Sequence, residues 1–157
     1  MDELLRDAFV SNSGVEVLVM VCESTASEML KEQAARAMGN IAMSAANEER
    51  IVAAGGVELL VGFLRSSDKD LLNATLGALA NLISNSEMRQ RFVSAGGVQL
   101  IGPILRSDLE LLYKQAGWVL ACLAVDPLLS TNLVEGGVLP LLVHYAEKDH
   151  EGYQEEA

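Results

Sequence analysis

The chain has 157 residues, half of them hydrophobic but only 4% aromatic, so its core must be aliphatic. Twenty-two acidic against 11 basic side chains give a formal net charge of −11, which argues against binding to a nucleic-acid backbone or an anionic membrane surface, since both need basic patches. The opening MDELLRDAF carries acids where a secretory leader needs bases, and no apolar run, Ala116–Val125 being among the longest, nears the roughly 18 residues that membrane insertion requires.

In chain order, Asp2–Ser11 reads as a short helix. Ser13-Gly14-Val15 opens an apolar stretch, and a longer helix runs from Ser27 to Ser44. Asn47–Ala54 is again short and ends at Gly55-Gly56-Val57. An apolar stretch follows to Leu64, then a polar break, Arg65–Asp68, then a helix from Lys69 to Ser84. In that helix Leu72, Leu76, Leu79, Leu82 and Ile83 recur at helical spacing. The pattern repeats as Ser86–Ala95, Gly96-Gly97-Val98, an apolar stretch to Leu105, a break at Arg106–Asp108, and a helix from Leu109 to Val125. A further copy begins with Leu128–Glu135 and Val138–Ala146, and ungapped alignment makes Asp149 its next cap. Asp68 and Asp108 are expected to cap the long helices, because a carboxylate can accept from the free amides of a first turn.

Val15, Val57, Val98 and Val138 mark the period, with intervals of 42, 41 and 40 residues. That is near the range of roughly 40–47 expected of a three-helix solenoid unit. The units span about 2–44, 45–85 and 86–126, with a partial fourth at 127–157, all in one domain. The glycine pairs allow one helix to stop and the next to start at a sharp angle, since glycine takes positive φ without steric penalty.

Three strings carry a resemblance: Gln33-Ala-Ala-Arg-Ala-Met-Gly-Asn-Ile-Ala42, Ala74-Thr-Leu-Gly-Ala-Leu-Ala-Asn-Leu-Ile83 and Gln115-Ala-Gly-Trp-Val-Leu-Ala-Cys-Leu-Ala124. They resemble the third helix of the armadillo repeat. Asn47–Gly56 resembles that family's short first helix and glycine turn, and Gly137–Val143 its second helix. The resemblance implies an all-α, right-handed superhelical solenoid whose third helices line a concave groove. In peptide-binding members, asparagines on those helices grip an extended peptide's backbone, and tryptophans four residues earlier form pockets. An asparagine amide offers both donor and acceptor, and positions four apart share a helix face.

On this chain the asparagine position holds Asn40, Asn81 and then Cys122, and the tryptophan position holds Arg36, Gly77 and Trp118. Extending the same face backwards adds Met29, Glu32 and Gln33 in the first unit, Asp70, Asn73 and Ala74 in the second, and Leu111, Lys114 and Gln115 in the third. The candidate groove residues are therefore Arg36, Asn40, Asn73, Gly77, Asn81, Lys114, Gln115 and Trp118. Four of them have a second reading. Trp118 could pack as core rather than serve as a binding anchor. Asn40 and Asn81 could bond a neighbouring helix rather than a ligand. Gly77 beside Ala74 could form a pocket or a close helix contact. The groove mixes charges, so the acidic excess lies elsewhere, part of it in the tail, where Glu147, Asp149, Glu151, Glu155 and Glu156 face one lysine, Lys148.

No catalytic or metal constellation is visible. His144 lies in an apolar stretch and His150 in the acidic tail, neither with a paired nucleophile. Cys22 and Cys122 lie two repeats apart. At about 8–10 Å per packed helix they are too distant for a disulfide, and a reducing compartment, cytoplasm or nucleus, is expected. The expectation is a non-catalytic adaptor, without metal or cofactor, that binds a protein or peptide and neither nucleic acid nor the membrane interior. The alternative is a homo-oligomer built through the terminal repeats, whose apolar faces need covering.

Overall fold

The computed structural model describes residues 3–83, 86–129, 133–134, 137, 139–144 and 146–147. Among them there is no strand, and the helices form three triplets. The first triplet is α1 (Glu3–Ser11), α2 (Gly14–Ser24) and α3 (Glu28–Ile41). The second is α4 (Ala45–Ala53), α5 (Gly56–Phe63) and α6 (Lys69–Leu82). The third is α7 (Ser86–Ser94), α8 (Gly97–Leu105) and α9 (Glu110–Ala124). A 3₁₀ turn, Pro127–Leu129, stands where the sequence reading begins a fourth first helix at Leu128. Within that fourth unit only 133–134, 139–144 and 146–147 are described as helical; Asp149 and the tail from 148 lie outside the described residues. No described helix is long and apolar enough to cross a membrane.

The long third helices start at Glu28, Lys69 and Glu110, a strict 41-residue interval. Each is preceded by the same turn. The hydroxyls of Thr25, Ser66 and Ser107 accept from the amides of Ser27, Asp68 and Leu109 two residues on. The residue that ends this turn takes the cap position. Asp68 does so as expected, its Oδ1 accepting from the amides of Asp70 and Leu71 at 3.0 and 2.9 Å. Ser27 accepts from Leu30. In the third triplet the expected cap, Asp108, stands one residue too early: α8 runs to Leu105, where α5 ends at Phe63, and Leu109 occupies the cap position.

Within each glycine pair the two residues have separate tasks. Gly55, Gly96 and Gly137 have φ of 76°, 81° and 74°, and Ser13 takes the same left-handed geometry at 60°. The second glycine has ordinary φ but no room for a side chain. A Cβ on Gly56 would lie 2.7 Å from Ile51 Cγ2, and one on Gly14 or Gly97 would run into the ring of Phe9 or Phe92.

The core runs the length of the stack. Val15, Val57 and Val98 are buried at equivalent places, as are Met38, Leu79 and Leu120. Third helix packs on third helix, α3 against α6 and α6 against α9. Small residues set the closest approach: a Cβ on Gly39 would sit 3.0 Å from the Ala78 Cα. Each large aliphatic side chain buried here contributes about 1.5–3 kcal/mol.

Candidate functional site

Successive third helices stand side by side, so residues 41 or 42 apart meet across each junction. Asn81 donates its Nδ2 to the Gly39 carbonyl of α3 at 3.0 Å. Gln115 donates its Nε2 to Asn73 Oδ1 of α6 at 2.8 Å. Glu28, at the start of α3, accepts from the Ser66 hydroxyl at 2.6 Å and pairs with Lys31 at 3.1 Å. These bonds hold its carboxyl below the usual carboxylate range, the Ser66 hydroxyl contributing most. On the third triplet Asp126 is buried; its Oδ2 accepts from Ser86 at 2.7 Å and from Arg89 at 3.0 Å, and Arg89 also donates to the Ile83 carbonyl.

Six of the eight candidate residues line one concave depression of about 430 Å³. They are Arg36, Asn40, Asn73, Gly77, Asn81 and Gln115, joined by Gly39, Ala74 and Ala78. Arg36 sits on the α3 side, held by Glu32 of its own helix at 2.8 Å. Asn40 is exposed, and its backbone carbonyl accepts from Arg6 Nη1 at 3.2 Å. Lys114 and Trp118 lie outside this depression. Lys114 is exposed and paired with Glu110 of its own helix. Trp118 is 62% exposed and so is not core.

The depression holds no acid–base or nucleophilic machinery. Among the described residues no cluster of histidine, cysteine or carboxylate could hold a metal. Cys22 and Cys122 are free thiols, and burial raises the pKa of both, which disfavours the thiolate a nucleophile needs.

The armadillo/beta-catenin-like repeat pattern matches residues 44–84. An engineered protein of known crystal structure is 35% identical, with a TM-score of 0.81, over 88% of this chain and 57% of that one. A designed armadillo repeat protein in complex with the peptide (KR)4 is 26% identical, with a TM-score of 0.80, over 87% of this chain and 58% of that one. This chain is an armadillo-repeat solenoid. A second armadillo design, described as computationally designed for modular peptide recognition, is 25% identical with a TM-score of 0.80, over 88% of this chain and 59% of that one. The solenoid thus spans somewhat over half the length of each of these three structures. Comparison with curated proteins returns no match.

The solenoid's inter-repeat bonds were not visible as motifs. Asn73–Gln115 and Glu28–Ser66 join residues 42 and 38 apart in sequence. Which partners meet depends on the offset between neighbouring helices, which periodicity leaves undetermined. The 41-residue spacing of the third helices was the available signal, since it places position 115 beside 73 or 74.

Proposed function

We propose that this armadillo solenoid is a non-catalytic adaptor that binds a peptide or protein segment along the groove formed by α3, α6 and α9. The observation that carries the reading is the convergence of Arg36, Asn40, Asn73, Gly77, Asn81 and Gln115 on one depression. The designed armadillo protein holding a peptide supports it at the level of the scaffold. Asn81 keeps its amide oxygen for a ligand while its NH2 braces the stack. Asn40 is exposed to do the same. Trp118 supplies an exposed aromatic anchor next along the row, the residue type most enriched in binding hot spots. Lys114, one turn before it, adds a charge at the rim. Three third helices at about 10 Å give a groove of roughly 30 Å, which takes around nine extended residues at about 3.3 Å each.

The test is peptide display against the folded protein, repeated on Trp118→Ala with helicity checked by circular dichroism. Enriched peptides that bind the parent and are lost on the variant support the groove. Failure to enrich anything, or binding indifferent to Trp118 and Asn81, rejects it.

A second reading, self-association through the first repeat, is favoured by one comparison. Leu30 is 42% exposed, whereas its equivalents Leu71 and Leu112 are 1% and 5% exposed beneath the preceding repeat. Leu18 and Val21 are likewise half-buried where Leu60, Phe63, Ile101 and Ile104 are buried. Light scattering decides this reading: a monomer mass that does not change with concentration removes it.

A further inference from the structure

Helix α6 carries a glycine for which its own packing has no use. Gly77 lies in mid-helix and is not among the glycines with positive φ. A Cβ there would meet nothing closer than Gln115 Oε1 at 3.9 Å, whereas Gly39, Gly56 and Gly97 each stand where a Cβ would crowd a neighbour. Glycine is the poorest helix former after proline, so the helix alone would be better served by alanine. What the missing side chain leaves is bare backbone at the floor of the depression, between Arg36 on one side and Gln115 on the other.

The hydrogen-bonding groups around that floor are incompletely used. Asn81 gives its NH2 to the Gly39 carbonyl, which leaves its oxygen. Gln115 gives its NH2 to the Asn73 oxygen, which leaves the Gln115 oxygen and the Asn73 NH2. The Gln115 oxygen is buried with no hydrogen-bond partner among the described residues, and a buried acceptor without a donor is unfavourable. The open valences are therefore mixed: the Asn81 and Gln115 oxygens accept, while Asn73 and the second N–H of Asn81 and of Gln115 donate, beside the exposed Asn40 amide. Arg36 is already paired with Glu32, so the lining offers no unpaired charge to draw a carboxylate or a cation. A neutral group that carries both an NH2 and a carbonyl suits such a lining. The match survives exchange of oxygen and nitrogen in the lining amides, because a primary amide carries both functions.

We infer that the cleft over Gly77 is a specificity pocket for a primary-amide side chain, glutamine or asparagine, of a peptide bound in the groove. This rests on the groove reading above. A backbone amide has a single donor and carries no sequence information, so it neither fills the pocket nor produces a residue preference.

The experiment is display of random ten-residue peptides on the parent, followed by titration of a selected peptide and its single-residue variants. The selected peptides share glutamine or asparagine at one fixed position. Replacing that residue by leucine or by glutamate weakens binding about tenfold, the effect of one hydrogen-bonded site left unmatched. Gln115→Met, with fold confirmed by circular dichroism, loses a similar factor for the amide peptide but not for its leucine variant, and a double-mutant cycle isolates that coupling. Gly77→Leu fills the floor and removes the difference in affinity between the amide peptide and its leucine variant. If selected peptides bind and are lost on Trp118→Ala, yet show no amide preference at any position, the pocket is overturned and the groove stands. If no peptide binds, both fall together.

Discussion

Ser13 takes a left-handed conformation that its counterparts meet with glycine. The left-handed region costs a residue with a Cβ about 1–2 kcal/mol. Ser13→Gly is accordingly expected to raise unfolding stability by roughly 1 kcal/mol in urea denaturation. Gly97→Ala should act oppositely. Its φ is ordinary, but the methyl group meets the Phe92 ring, and overpacking of this kind costs about 1–3 kcal/mol. Thr75 offers a third case. Its hydroxyl is buried with no hydrogen-bond partner among the described residues, where the equivalent positions hold Ala34 and Ala116. Thr75→Val keeps the shape and removes the unsatisfied group, so a gain of about 1 kcal/mol is expected from thermal or urea unfolding. The glycine pairs were legible as turns from sequence. Their division of labour was not, because the reason for the second glycine lies in a side chain five residues earlier, Ile51 or Phe92, which folds back over it.

At the scale of elements, helix type and order were readable because a 41-residue period and helical apolar spacing point the same way. The turn before α9 was misread by one residue. Arg106-Ser107-Asp108 looks like a shortened Arg65–Asp68, but α8 runs to Leu105, and the hydroxyl turn from Ser107 brings Leu109 to the cap. The Glu28–Ser66 bond between repeats has a measurable pH signature. The Ser66 hydroxyl and Lys31 hold the Glu28 carboxyl below the usual glutamate range. A depressed folded pKa contributes stability above the unfolded pKa, and that contribution is lost as pH falls through the folded value. Ser66→Ala removes the largest cause of the depression. The variant should therefore be less stable than the parent at neutral pH, and the gap should narrow as pH falls below the ordinary carboxylate range, down to what the Ser66–Asp68 amide bond contributes at every pH. Urea midpoints measured between neutral pH and pH 3 check this; a gap that stays constant would show that Ser66 acts on stability without Glu28.

For the whole molecule, the solenoid was legible but the groove only in outline. The sequence face at i, i−4, i−7, i−8 and i−11 gathers residues that point into the depression with others that only border it. Asn73 and Gln115 meet each other across a junction, Ala74 is buried there, and Trp118 is exposed and does not line the depression. Periodicity fixes a direction on one helix; neighbouring helices decide what that direction faces. The mixed lining accounts for a groove that need not follow the net charge of −11. Arg36 and Lys114 are each paired with a carboxylate on their own helix, so ligand binding should depend only modestly on salt, as expected when exposed, already paired charges are not the main contacts.

Trp118 is the chain's sole tryptophan and is exposed beside the proposed groove, so its fluorescence reports on the central claim without a label. The most direct measurement is a titration of the protein with a display-selected peptide lacking tryptophan, followed by Trp118 emission and its quenching by acrylamide, with calorimetry confirming binding. The account predicts a saturable blue shift and protection from acrylamide at the calorimetric affinity, both weakened in Asn81→Ala. Calorimetric binding with unchanged emission and unchanged quenching would contradict it and place the binding surface elsewhere on the solenoid.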